Sequence, residues 1–426
     1  MDNKQKGELG EDAVNKLAFG TYLKYWCFPS PKDETGNKKE ICDLLILFQN
    51  TAIILSVKNY SFSGNYERYF RLTLEKALSQ IKGAERKLFG QKTQLSFNHF
   101  ELGTINFDST KYSKIFRIVI NLNDVPLFYP AGKTQLDETF VHIFNWEAFL
   151  GIALELDTIP DLIYYLEERE IAFKNREVLI LKGNDEDWEQ HVNEAFLNYT
   201  SSRLDNKFIL VSGNEQDILA EYFTNQRKFH SHFYSSEFDG ASFEFDGSWE
   251  KYLLRKEVQN KKVQDKASYF IDEFVKREIL YKHDLYNLEI ATELLALSRF
   301  ERRIAGKTFL EFVKKYEDQN GYFMARRYGK VNDLVIAFIL HGHEMKHEHV
   351  MTSVQIAIDG YCYWAKYPKE KILAIAVSNK LVGFKFGFLK EIERFEKEYE
   401  EELIANLKIL KWFTNIETTA FTHTEY

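Results

Sequence analysis

Glu40-Ile41-Cys42-Asp43, the apolar run Leu44-Leu45-Ile46-Leu47-Phe48, a polar break at Gln49-Asn50-Thr51, and then Ile53-Ile54-Leu55-Ser56-Val57-Lys58 decide how this chain is read. Two apolar runs of strand length around a polar break predict a β-hairpin. Residue numbers paired across it then sum to about one hundred, which brings Asp43 opposite Val57 and Lys58. Because side chains alternate along a strand, Ser56 and Lys58 project from one face. An acid and a lysine are expected to meet at the polar end of the hairpin.

Upstream, Leu9, Ala13, Val14, Leu17 and Ala18 form one helical stripe, with Glu8, Glu11, Asp12 and Asn15 on the other side. That pattern predicts a helix beginning near Lys6. Residues 28–39, opening with Phe28-Pro29-Ser30-Pro31, read as a loop. Downstream, Leu74, Ala77, Leu78, Ile81, Ala84 and Leu88 predict a second helix, with Gln80, Gly83 and Lys87 on its more polar side. Lys114 to Leu122 and Phe140 to Phe144 have strand composition. Helix, two strands, helix and two further strands make residues 1–150 an α/β domain.

Beyond it, Trp146 to Glu170 reads as helical and Val178 to Leu181 and Phe208 to Val211 as short strands, so residues 151–240 form a middle α/β region. The stretch His230 to Ser248 lacks a helical period and marks a boundary. Residues 241–426 then form a helix-rich α+β C-terminal domain, ending in an amphipathic acidic helix over Phe388 to Leu410.

The 426 residues carry a net charge of −8, which argues against a protein that coats nucleic acid through bulk charge but leaves room for a local basic groove. Three dispersed cysteines, Cys27, Cys42 and Cys362, suit buried free thiols rather than a disulfide framework or a four-thiolate zinc site. No run approaches the roughly twenty apolar residues that span a bilayer, so a cytoplasmic protein without a membrane partner is expected.

Hydrolysis of a phosphodiester needs a divalent cation and a group that orients the attacking water or receives its proton. Carboxylates hold magnesium, and a lysine can do the second job. Glu11, Asp43, Lys58 and Gln80 together resemble the restriction-endonuclease-like superfamily with the PD-(D/E)xK signature, in particular its resolvase-like, Mrr-like and NERD-like members. The resemblance covers roughly the first 120 residues. It implies a mixed central sheet and a metal site in which a glutamate of the first helix, Glu11, and an aspartate opening a strand, Asp43, bind Mg2+ (or Mn2+). It also implies that Lys58 activates water, and Gln80 resembles the helix glutamine that follows the motif. The expected function is a magnesium-dependent endonuclease acting on nucleic acid, DNA before RNA, in restriction, repair or antiviral defence against mobile elements. The remaining regions would then sense a trigger or bind a protein partner or a second copy of the chain.

One position departs from the pattern: Ser56 stands where the family carries an acid two residues before the lysine. Glu40 is the auxiliary carboxylate that can replace it, since hard cations accept oxygens from different elements. The alternative is a scaffold of the same fold that binds nucleic acid or a partner without cutting. A third pattern, His343-Glu344-Met345-Lys346-His347, fits HExxH; on a helix the two histidines would hold zinc and Glu344 would activate its water, as in a zinc peptidase. Gly342 and the lack of a marked third ligand favour a solvated or packing cluster there. Basic candidates for a nucleic-acid surface are Arg299, Arg302 and Arg303, and Arg326-Arg327 near Tyr322 and Phe323; pairing with neighbouring acids is the plainer expectation.

Overall fold

The computed structural model describes residues 12, 14–20, 24–34, 39–90, 95–123, 128–135, 137–181, 207–235, 240–282, 284–414 and 425. It is a mixed α/β structure with several mixed sheets. The chain forms two compact units, Met1–Gln259 and Asn260–Tyr426. The boundaries read from sequence near 150 and 240 both fall inside the first unit.

In that unit, α1 covers residues 14–20, and β1 (Cys27–Pro29), β2 (Leu44–Phe48) and β3 (Thr51–Lys58) follow as an antiparallel meander. The opening of the expected loop, Phe28-Pro29, belongs to β1. The turn of the hairpin is Gln49-Asn50, and the register runs Leu44↔Leu55 through Phe48↔Thr51. Every residue of β2 and β3 is buried, as strands covered on both faces must be.

After β3 a helix runs from Tyr66 to Phe89: α2 (Tyr66–Phe70), a π turn (Arg71–Glu75) and α3 (Lys76–Phe89). Ala77, Ile81, Ala84 and Leu88 form its inner row, packed with Leu45, Leu47, Ala52 and Ile54 of the sheet. A small hairpin, β4 (Leu95–His99) with β5 (Gly103–Phe107), adds Leu95, Phe97 and Phe107 to that core. The chain returns through β6 (Lys114–Asn121), parallel to β3 with Lys58 beside Asn121. β7 (Phe128–Pro130), β8 (Gly132–Thr134) and β9 (Phe140–Asn145) follow, and the first sheet has the order β1-β2-β3-β6-β9-β8.

The sequence reading missed β7 and β8 because three residues are too few to show a period. β7 joins a second sheet of order β12-β11-β10-β7, made with β10 (Glu177–Leu181), β11 (Phe208–Ser212) and β12 (Gly240–Glu244). β10, β11 and β12 are parallel to one another. The stretch expected to be a boundary therefore supplies the last strand of this sheet. Helices α4 (Trp146–Glu155), α5 (Ile159–Phe173) and α6 (Glu215–Thr224) complete the layers. The single helix expected over Trp146 to Glu170 is two helices, broken where Thr158 leaves the helical conformation to cap α5.

The second unit has a four-stranded mixed sheet, β13 (Met324–Val331), β14 (Leu334–His341), β15 (Lys371–Ser378) and β16 (Lys385–Leu389). β14 and β15 are parallel, joined through the helix His347–Trp364, and both outer pairs are antiparallel. The final helix is Lys397–Ile409 and not Phe388 to Leu410, because Phe388 and Leu389 pair with β15. Among the described residues, no helix is long and apolar enough to cross a membrane. The three cysteines are free and buried.

Candidate active site

The hairpin places its two chemical groups by simple strand geometry. β2 begins at Leu44, opposite Leu55, so the backbone of Val57 extends past the end of its partner strand. The carboxylate of Asp43 takes that place and accepts the Val57 N–H. One residue further, Lys58 closes β3 with its side chain on the face shared with Ile54 and Ser56, which is the face covered by α3.

Lys58 is buried, and its ammonium donates to Ser56 Oγ at 2.9 Å, to the Val57 carbonyl at 3.0 Å and to Gln80 Oε1 at 2.5 Å. Ser56 Oγ in turn donates to Gln80 Oε1 at 3.2 Å. Gln80 sits on the exposed flank of α3, so the helix supplies the lid of this group and the strand its floor. Three residues singled out in the sequence, Ser56, Lys58 and Gln80, are thus brought into one hydrogen-bonded cluster.

Glu40 joins Asp43 from the segment preceding β2. Partial burial, together with the neighbouring Asp43 carboxylate to which it is hydrogen-bonded, holds the Glu40 carboxyl above its ordinary range; Lys32 and Lys58 pull it back down. Two oxygen-donor carboxylates side by side, one reluctant to ionise, form an arrangement that a hard divalent cation would relieve. Asp43 and Glu40 are the described carboxylates that could hold magnesium or manganese there. Glu11, expected to hold the metal together with Asp43 with Glu40 as auxiliary, lies outside the described residues. Among the described residues no three His, Cys, Asp or Glu side chains converge on a metal position.

Asn121, which sequence reading passed over, lies beside Lys58 in the parallel register and donates to the Tyr69 hydroxyl. The signal was available only through the β3–β6 pairing. The aromatic residues that follow Lys58 pack mostly on each other: Phe62 on Tyr66 at 4.6 Å between centroids, and Tyr66 stacked on Phe128 at 4.4 Å.

The HExxH residues do not share a helix. His341 ends β14, His343 and Glu344 occupy a turn, and the helix starts only at His347. Gly342 explains the break: a Cβ there would lie 1.9 Å from the Gly321 carbonyl oxygen. The one-turn spacing that lets two histidines grip zinc is therefore missing. The basic candidates of the second unit are engaged internally. Arg299 and Arg302 both bond Asp272, Arg303 pairs with Asp265 at 3.2 Å, and Arg326 and Arg327 lie over Trp412 and Phe312.

A cavity of about 860 Å³ opens beside Lys114, at the other end of β6 from Asn121. Its charges are largely paired, Lys114 with Glu167 and Lys228 with Glu168, so it is not part of the Lys58 cluster. Comparison with known protein families, characterised proteins and solved structures finds no match to this chain.

Proposed function

We propose that the first unit carries a Mg2+- or Mn2+-dependent endonuclease of restriction-endonuclease-like build that hydrolyses phosphodiester bonds of DNA, in a role such as defence against mobile elements. The observation that carries this reading is the meeting of Asp43, Glu40, Lys58 and Gln80 at one end of the central hairpin. A meander of three antiparallel strands crossing through a helix to a parallel fourth strand supports it.

Asp43 and Glu40 would hold the cation, which when bound polarises the phosphate and acidifies a water. Lys58 contributes a cation fixed by three acceptors and aimed from the strand end, suited to orient that water and to stabilise charge developing on the phosphate. Ser56 holds the lysine in place of ligating metal.

Asp43→Ala and Lys58→Ala should each slow plasmid cleavage in magnesium by about a hundredfold or more. Cleavage at the parental rate by both variants would remove this mechanism. A non-catalytic scaffold is the second reading, favoured by the Lys58 ammonium being spent on Ser56, Val57 and Gln80. It predicts DNA binding that is indifferent to magnesium and to Lys58→Ala.

A further inference from the structure

The helix that brings Gln80 to Lys58 carries more than Gln80 on the same flank. Taking the buried row Ala77, Ile81, Ala84 and Leu88 as its inner side, Lys76, Gln80, Gly83 and Lys87 fall within about 60° of one another at 3.6 residues per turn. Lys76 and Lys87 have no carboxylate partner among the described residues, in a chain whose net charge is −8. The acid Glu85 lies on the opposite flank, taken by Arg117 at 2.7 Å. Lys82 and Arg86 belong to the outer face, with Lys82 paired to Asp137 at 3.5 Å.

Gly83 is the second observation. Glycine is the least favourable helix former after proline, and it is normally retained inside a helix where something must approach closely. None of the described residues does so, since a Cβ at Gly83 would meet no atom of theirs within 4 Å. The bare stretch of backbone lies between two cations, one turn beyond Gln80.

We propose that this flank is a track for the sugar-phosphate backbone of duplex DNA, with Lys76 and Lys87 contacting phosphates on either side of the Lys58 cluster and Gly83 letting the backbone lie against the helix. From Lys76 to Lys87 the axis covers about 16 Å at 1.5 Å per residue, room for several phosphates of one strand. A duplex suits the surface better than an unstacked strand. Single-strand grooves present aromatic platforms, and here Phe62, Tyr66, Tyr69 and Phe70 are packed among themselves and on Phe128, while the exposed ring of Tyr60 lies under the Lys76 ammonium at 5.9 Å. The proposal rests on the nuclease reading only for the chemistry at the end of the track.

The test is binding of a labelled DNA duplex by the full chain without divalent metal, over a series of salt concentrations. Lys76→Gln with Lys87→Gln should lower the slope of log affinity against log salt by about two, one for each phosphate contact. Lys82→Gln with Arg86→Gln should leave it unchanged. Gly83→Gln should raise the melting temperature yet weaken binding about tenfold, because it strengthens the helix while blocking the approach. Equal slopes in the two double variants, no duplex binding by the parent, or tighter binding of an RNA duplex or a single strand would each overturn the track. If the parent binds as described but never cuts in magnesium, the nuclease reading falls and the track stands. If it cuts and the Lys76/Lys87 variant keeps the parental slope, the track falls alone.

Discussion

At the scale of single residues, the site turns on where negative charge sits when Ser56 occupies a position expected to be acidic. A serine hydroxyl two residues before Lys58 gives the lysine a neutral acceptor, while Glu40 and Asp43 keep the charge on the neighbouring segment. Glu40 then becomes the pH-sensitive member. Its carboxyl is held above the ordinary glutamate range, near 4.3, so in the window above that value a bound cation would compete with its proton. Manganese affinity should therefore rise with pH through this window and level off once Glu40 is ionised. Glu40→Gln should flatten the profile in calorimetric titrations, and an unchanged profile would remove Glu40 from the ligand set.

At the scale of elements, short-range chemistry decides where helices begin and end. The periodicity over Trp146 to Glu170 is nearly continuous, yet Thr158 interrupts it. Its side chain accepts the Asp161 N–H at 3.1 Å and its hydroxyl donates to the Asp161 carboxylate at 2.5 Å, fully buried. Thr158→Ala should cost about 1 to 2 kcal/mol in urea unfolding, and Thr158→Asn should restore most of it. The same logic separates HExxH from a zinc helix. Gly342 is needed for a close backbone crossing, and the helix starts after it. The π turn at Arg71–Glu75 lies immediately before Lys76, between the aromatic cluster and the flank that faces Lys58.

At the scale of the first unit as a whole, its six-stranded sheet and its four-stranded sheet are tied through a charge with no access to water. Arg169 of α5 is fully buried; it pairs with Glu215 at 2.9 Å, donates to the Ala131 carbonyl at 2.7 Å and meets His142 Nδ1 of β9 at 3.1 Å. Tyr165 donates to the same glutamate at 2.7 Å. Arg169→Met should cost about 3 to 5 kcal/mol because it strands Glu215, and Arg169→Met with Glu215→Leu should recover much of it. His142 is held neutral, its pKa driven well down by burial and then by Arg169 and Arg117. The unfolded chain therefore binds a proton that the folded one refuses, and stability should fall as pH drops below about 6.5. A shallower slope in His142→Gln, read by thermal melts, would give its share, the rest including His99, whose pKa burial also lowers.

The hairpin was legible in sequence apart from Thr51, expected in the turn and found opening β3, because two apolar runs and a short polar turn leave little choice of register; the observed register brings the Asp43 carboxylate to the Val57 N–H. The amphipathic stripe of α3 was legible for the same reason: local periodicity reports which face is buried. Strands of three residues, β12 within an apparent boundary, and the entry of β7 into the second sheet were not, since their partners lie far away in sequence. Sequence alone supplied the acid, the lysine and the glutamine, and the helical period put Gln80, Gly83 and Lys87 on one side; only the tertiary structure could place Gln80 over Lys58 and set Glu40 against Asp43. The physical reason is that a site is a convergence of separate elements, and convergence is fixed by packing of the α3 row onto β2 and β3 rather than by any local preference.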